Sequence, residues 1–177
     1  NPSDRVSLGS QFPDYTWGLN NSVNYKNWTL NVFVYGQQGK YLLNVNALES
    51  LYPLNYRRNL FALHGLNRWT PENPGNKWPS GVLTSSHGGS KVNNLSVEDA
   101  SFWRLKTISV NYNVPVDNID FLKSLQLGII GDNLLTVTDY TGWDPESNRF
   151  GGAQNNSADI SSYPTAKSII FSLTASF

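Results

Sequence analysis

The chain has few residues that could perform acid, base or nucleophilic chemistry. Its two histidines, His64 and His87, lie in a polar stretch without a patterned carboxylate or hydroxyl partner. Because a Ser/His/Asp set can be drawn from almost any chain, such a set means little without a spacing pattern. No glycine-rich phosphate loop or histidine-based zinc pattern occurs either. We therefore predict that the protein is not an enzyme.

Two acidic residues and three tryptophans could instead bind ligands. Asp144 and Glu146 could hold Ca²⁺ with loop carbonyls, although two carboxylates are fewer than a Ca²⁺ site normally uses. We expect no other cofactor. Trp69, Trp78 and Trp143 lie in polar segments, where their rings could stack on sugar rings. Such loops also pack on their own aromatic side chains as compact caps, and we favour that interpretation.

The composition narrows the class of protein. The 177 residues include no Cys, which excludes disulfides, thiolate metal sites and cysteine nucleophiles. Thirteen basic residues balance 13 acidic ones, so we expect no nucleic-acid partner. Met is absent even at position 1. We therefore expect the chain to be part of a longer protein.

Alternation of apolar and polar residues predicts five β-strands. They lie at about 14–25, 28–38, 101–112, 124–136 and 166–177. The apolar phase changes near Thr107, which predicts a β-bulge there. Polar residues should share the face opposite the apolar ones, among them Asn20, Asn24, Thr29, Asn31, Ser172 and Thr174.

The lengths of these strands favour a membrane barrel. Globular strands usually have about five or six residues, whereas a tilted strand needs about nine to eleven to cross a bilayer. Short turns at Lys26-Asn27 and Pro115 alternate with long segments at about 39–100 and 137–165. Outer-membrane barrels likewise alternate short periplasmic turns with long extracellular loops. The first long segment could contain short helices at about 42–51 and 55–63.

Aromatic residues support this orientation. Tyr25, Trp28, Tyr112 and Phe177 fall at the predicted periplasmic strand ends, where aromatic rings form a girdle at the lipid–water boundary. No apolar run is long enough for a transmembrane helix. Since five strands cannot close a barrel and open edges are not tolerated in lipid, the remaining wall should come from an N-terminal part of the same protein.

Several motifs, taken in order, resemble the C-terminal region of the SusC/RagA family of TonB-dependent transporters of Bacteroidota. They are RWTPENP at 68–74, VEDASFWRLK at 97–106, GDNLLT at 131–136, YTGWDPE at 140–146 and Tyr163-Pro164. The resemblance extends over essentially the whole chain. Trp103 departs from the aliphatic residue that is common in the family.

The resemblance implies an all-β fold: the C-terminal antiparallel strands of a transmembrane barrel of about 22 strands, with an N-terminal plug outside this chain. It implies an outer-membrane importer of nutrients such as oligosaccharides or peptides. The expected partners are the rest of the barrel and plug, a SusD-like surface lipoprotein, TonB and outer-membrane lipid. Trp69, Trp78 and Trp143 become candidate contacts for substrate or lipoprotein.

The last strand resembles a barrel-assembly signal. Apolar residues occupy alternate positions up to the last residue, at Phe171, Leu173, Ala175 and Phe177. Such a strand can pair along its edge with a receptor strand through main-chain hydrogen bonds, while the alternate side chains provide specificity.

Two other functions remain open. A secreted β-sandwich that binds carbohydrate through exposed tryptophans would fold as a monomer without detergent. A TonB-dependent siderophore receptor would share the barrel but lack the SusC-type loop motifs, and co-purification of a SusD-like lipoprotein would separate it from an importer.

Overall fold

A computed structural model describes residues 5–51, 59, 61–74, 78, 80, 92–119, 121–147 and 158–177. The chain divides into two compact units. The sheet unit comprises Pro13–Gln38, Ser101–Asp139 and Thr165–Phe177. The loop unit comprises Asn1–Phe12, Gly39–Ala100 and Tyr140–Pro164.

The described residues form eight strands and two short helices. In chain order they are β1 (Tyr15–Tyr25), β2 (Trp28–Gln38), β3 (Tyr41–Asn44), α1 (Val45–Leu51), α2 (Ala62–Leu66), β4 (Val97–Asp99), β5 (Phe102–Val114), β6 (Ser124–Thr138), β7 (Ala158–Asp159) and β8 (Ser168–Ser176). The five long strands make one antiparallel sheet in the order β1-β2-β5-β6-β8. The prediction of antiparallel strands is confirmed.

The first hairpin shows how local sequence determines register. Tyr25 pairs with Trp28, which leaves a two-residue loop. Lys26 in that loop has a φ of 53°, and the two-residue turns that join twisted strands require positive φ. The register then continues without a break to the pair Tyr15 and Gln38.

The bulge predicted near Thr107 is present. The register of β5 with β6 shifts between Leu105 and Thr107, and the register of β2 with β5 shifts between Phe33 and Val34. Relative to β2, Lys106 is an extra residue in β5, and its Nζ donates a 2.9 Å hydrogen bond to Asn133 Oδ1. The bulge explains the change of apolar phase, because it returns Leu105 to the face that carries the apolar residues.

The sheet has one apolar and one largely polar face. Two rows of paired residues cross all five strands on the apolar face: Val23, Leu30, Val110, Ile129, Phe171 and Tyr25, Trp28, Tyr112, Leu127, Leu173. A row on the opposite face contains Asn24, Thr29, Asn111, Gly128 and Ser172. Side chains on the apolar face are exposed: those of Phe171 and Leu173 are 77% and 69% exposed.

The loop unit is built on a small three-stranded sheet. β3 pairs with β4 in antiparallel fashion and with β7 in parallel fashion. Leu42, Ala100 and Tyr140 form its buried apolar cluster. Because strands of two to four residues carry no detectable alternation, the sequence prediction missed all three.

The helix predicted at 42–51 is therefore partly wrong. Residues up to Asn44 belong to β3, and α1 begins at Val45. Asn44 caps this helix, because its Oδ1 accepts a 3.0 Å hydrogen bond from Ala47 N. Of the helix predicted at 55–63, residues 52–58 and 60 lie outside the described residues, and α2 begins only at Ala62.

In the described part of the chain, no helix is long and apolar enough to cross a membrane.

Candidate functional site

Aromatic residues collect at one end of the sheet, called here the turn end because it contains the Lys26-Asn27 turn. The rings of Trp28 and Tyr112 lie 4.5 Å apart between centroids. Tyr25 is 66% exposed. Phe177 stacks on Phe121 with a centroid separation of 6.3 Å. All four residues of the predicted girdle thus lie at this end.

The last strand, β8, is paired along one side only in the described residues. It pairs with β6 from Ser168 to Ser176 and is the last strand in the order of the sheet. Lys123 N donates a 2.8 Å hydrogen bond to Ser176 O, and Lys123 Nζ donates one to Phe177 O. The alternate side chains of Phe171, Leu173 and Ala175 lie on the apolar face.

The polar face carries side-chain hydrogen bonds between neighbouring strands. Thr29 Oγ1 donates to Asn24 Oδ1 at 2.7 Å, and Asn31 Nδ2 donates to Ser109 Oγ at 3.2 Å. Among the described residues of this unit, the most buried charged group is Arg104, which is 2% exposed. Its Nε donates to Thr136 Oγ1 at 2.8 Å. This face can therefore contact water or protein, but it is unsuited to lipid.

Glu98 connects distant segments of the loop unit. Its carboxylate accepts hydrogen bonds from Asn44 Nδ2 at 3.0 Å, from Thr141 Oγ1 at 2.9 Å and from Thr141 N at 2.8 Å. Asn44 Nδ2 also lies 3.3 Å from Thr141 Oγ1. Asn44 is 1% exposed, so its polar atoms are paired as burial requires.

A buried tyrosine and carboxylate form a second connection in the loop unit. Tyr140 OH donates a 3.0 Å hydrogen bond to Asp159 Oδ2, and Asp159 is fully buried. Burial, followed by the negative charge of Asp159, raises the pKa of Tyr140 far above its ordinary value. The phenol therefore stays protonated and remains a donor to Asp159.

The carboxylates proposed for Ca²⁺ lie near a buried lysine. Lys40 is 7% exposed and its Nζ donates a 3.2 Å hydrogen bond to Pro145 O. Burial lowers the pKa of Lys40, while the charges of Glu146 and Asp144 raise it and partly offset that effect. In addition, Asp144 Oδ1 accepts a hydrogen bond from Glu146 N. Among the described residues, no group of three or more His, Cys, Asp or Glu side chains could hold a metal ion, and Ca²⁺ at Asp144 and Glu146 stays a prediction.

An open cleft of about 230 Å³ lies in the loop unit, and its lining residues are Asn44, Asn46, Phe61, Thr141, Gly142 and Trp143. The side chains of Trp143 and Phe61 are 68% and 46% exposed. Asn46 Oδ1 accepts a 2.8 Å hydrogen bond from Ser161 Oγ. Its Nδ2 atom is buried and has no hydrogen-bond partner in the described part of the chain.

The other predicted site residues do not join this cleft. Trp69 N donates a 2.8 Å hydrogen bond to Trp78 O, and Trp69 is 41% exposed. These two tryptophans thus belong to one local backbone arrangement, separate from the lining that contains Trp143. The side chain of His64 and all of His87 lie outside the described residues.

Sequence reasoning missed most of the polar residues in the loop unit. Asn44 could have been found, because an asparagine immediately before a helix is a capping signal. Lys40, Glu98, Tyr140 and Asp159 carry no such signal, since each acts through a partner from another segment.

The comparisons with known proteins agree with the fold. No protein-family model matches the chain. TonB-dependent receptor P26 of Formosa agariphila is 34% identical over 98% of this chain and 18% of the relative. TonB-dependent receptor P3 of the same organism is 32% identical over 99% of this chain and 17% of the relative. The chain therefore spans less than a fifth of the length of these relatives.

Solved structures of the RagAB transporter share this fold. The structure of the RagAB peptide transporter aligns with a TM-score of 0.77 and 25% identity, over 96% of this chain and 18% of that chain. The RagAB peptide importer in the 'closed-closed' state aligns with a TM-score of 0.75 and 24% identity over the same shares. Together with the receptors of similar sequence, these matches confirm the resemblance found in the motifs: over nearly its whole length the chain is similar to TonB-dependent receptors and to the RagAB transporter.

Proposed function

We propose that this chain forms five wall strands and the surface loops of a TonB-dependent importer in the bacterial outer membrane. The remaining wall strands and the plug belong to the rest of the same protein. The observation that carries the proposal is the sheet itself, which exposes apolar side chains on one face, carries mostly polar ones on the other, and ends in β1 and β8.

The dimensions of the sheet support a position in a bilayer. Strand β1 has 11 residues. At about 3.4 Å per residue and a tilt of about 40°, such a strand rises about 28 Å along the membrane normal, close to the apolar band of about 25 Å in outer-membrane barrels. The aromatic residues at the turn end then lie at one edge of this band, at the periplasmic boundary.

We infer that the loop unit lies at the cell surface, as the long loops of outer-membrane barrels do. There it could meet a SusD-like lipoprotein and the nutrient, an oligosaccharide or peptide, which the importer moves without chemical change. TonB supplies the energy through the part of the protein that contains the plug. The fold that this chain shares with the RagAB peptide transporter supports a role in nutrient import.

A self-contained carbohydrate-binding sandwich is the second candidate, and the exposed apolar face argues against it. A sandwich buries the inner faces of two sheets against each other. Here Ile169, Phe171 and Leu173 remain 64%, 77% and 69% exposed. Lipid would cover these side chains in a barrel.

Cysteine labelling tests the proposed topology, because the chain has no native Cys. Tyr163 is 92% exposed in the loop unit, and Asp117 is exposed in the turn between β5 and β6. In the complete receptor in intact cells, Tyr163→Cys should react with a membrane-impermeant maleimide. Asp117→Cys should react only after the outer membrane is permeabilised.

Equal labelling of both cysteines in intact cells would contradict the topology. The siderophore-receptor alternative is tested on the same cells: an affinity-tagged receptor should capture a SusD-like lipoprotein, and capture of none would favour the siderophore receptor.

A further inference from the structure

We propose that the cleft in the loop unit is a binding site for a single uncharged sugar ring, which stacks on Trp143. This inference rests on the proposed function and specifies its substrate class. It also assigns a role to Trp143 that Trp69 and Trp78 do not share, since neither of them lines the cleft.

Two aromatic side chains provide the contact surface. Trp143 and Phe61 line the cleft and are 68% and 46% exposed. Exposed rings at a concave surface offer a large contact area at a low cost in conformational entropy. A pyranose ring presents flat faces of C–H groups, and such a face can lie against an indole.

The lining restricts the charge and size of the ligand. The six lining residues that the structure describes are uncharged, so none of them would compensate an anionic sugar or a charged peptide terminus that left water. The volume of about 230 Å³ is below the range of about 300–1,000 Å³ that holds drug-sized ligands. The cleft therefore suits one ring of a longer chain.

The hydrogen-bond network behind the cleft fixes its shape before a ligand arrives. Glu98 accepts hydrogen bonds from Asn44 and from both polar groups of Thr141. A Cβ at Gly142 would overlap the ring of Tyr140, so glycine permits the close passage of this segment just before Trp143. Preorganisation of this kind reduces the entropy lost on binding.

Asn46 distinguishes a sugar from an apolar peptide side chain. Asn46 lines the cleft, and its Nδ2 atom is buried without a hydrogen-bond partner among the described residues. A buried donor of this kind is stabilised by an acceptor. Once the amide rotates to bring Nδ2 to the cleft, a sugar hydroxyl can be that acceptor, whereas a leucine or phenylalanine side chain cannot.

Titration calorimetry on the complete purified receptor tests the site. The probes are four neutral hexasaccharides (malto-, cello-, manno- and xylohexaose) and, in a separate arm, a neutral hexapeptide of Leu and Phe with blocked ends. At least one hexasaccharide should bind. Trp143→Ala should weaken its binding about tenfold, and Trp143→Phe, which retains a ring, should weaken it less. Tyr163→Ala is the control and should bind as the unaltered receptor does.

Three results would overturn the inference: an unchanged affinity in Trp143→Ala, binding of the peptide alone, or binding of none of the four sugars. Cysteine labelling at Tyr163 reports the topology of the same receptor independently. If the two cysteines label as expected but no sugar binds, only the sugar site is rejected. If Asp117→Cys labels in intact cells and Tyr163→Cys does not, the importer on which the site rests is rejected.

Discussion

A positive charge at Leu173 tests which face of the sheet meets lipid. Leu173 lies on the apolar face opposite Leu127 and is 69% exposed. It precedes Phe177 by four residues in the sequence. At about 3.4 Å per residue and a tilt of about 40°, four residues place it about 10 Å above the girdle and close to the middle of an apolar band of about 25 Å.

Leu173→Arg should therefore destabilise the complete receptor by about 2–4 kcal/mol, the cost of an arginine near the bilayer midplane on the lipid face. The matched control is Thr174→Arg, one residue along β8 and on the polar face. Thr174 is exposed and lies opposite Gln126, so an arginine there should cost much less.

Ser172 is a poorer control, although it shares the face of Thr174. A Cβ at Gly128, the residue opposite Ser172, would meet both Ser172 Oγ and Asn111 Oδ1. The three residues are thus closely packed. Ser172→Arg would disturb this packing and add a steric cost unrelated to lipid.

The assay is a urea titration of the refolded receptor in phosphatidylcholine vesicles, followed by tryptophan fluorescence and by the gel mobility of the unheated protein. The free energy of unfolding is compared among the two variants and the unaltered receptor. Equal losses in Leu173→Arg and Thr174→Arg would refute the assignment of lipid to the apolar face.

Two further predictions concern the loop unit and the last residue. Tyr140→Phe removes the hydrogen bond to the buried Asp159 and should destabilise the loop unit by about 1.5–3 kcal/mol. Backbone amides of the loop unit should then exchange hydrogen faster. The control Tyr163→Phe should leave this exchange unchanged. Because folding raises the pKa of Tyr140, its contribution to stability is complete below about pH 10, the usual tyrosine pKa, and is lost as pH rises further. Tyr140→Phe should not show this loss of stability at high pH. Phe177→Ala should lower the fraction of receptor assembled in the outer membrane, measured by gel mobility without heating. The control Phe121→Ala should leave this fraction unchanged. Equal assembly of the two variants would count against an assembly signal at Phe177.

The strands and their two faces could be predicted from the sequence alone. Each long strand has a different environment on each side, so apolar and polar residues alternate along it with a period of two. The bulge could be predicted as well, because the apolar phase of β5 changes between Leu105 and Thr107, where β5 has one more residue than β2. The position of the aromatic residues at the turn end could also be predicted, since it follows from where each strand ends.

The loop unit depended on the tertiary structure. Leu43 pairs with Ala158 in a parallel bridge, and Glu98 meets Thr141, although long stretches of chain separate the partners. Such contacts repeat with no period and leave no pattern in a single sequence. The short strands they create and the cleft beside Trp143 were therefore not visible beforehand.

The sequence by itself thus determined an antiparallel wall with an apolar and a polar face, because alternation is a local property of each strand. Only the tertiary structure decided which loop residues meet, since the partner of Asp159 or Asn44 depends on how distant segments return to one another. The environment of a strand face constrains the type of every second residue, whereas a buried polar contact constrains only the two residues that form it.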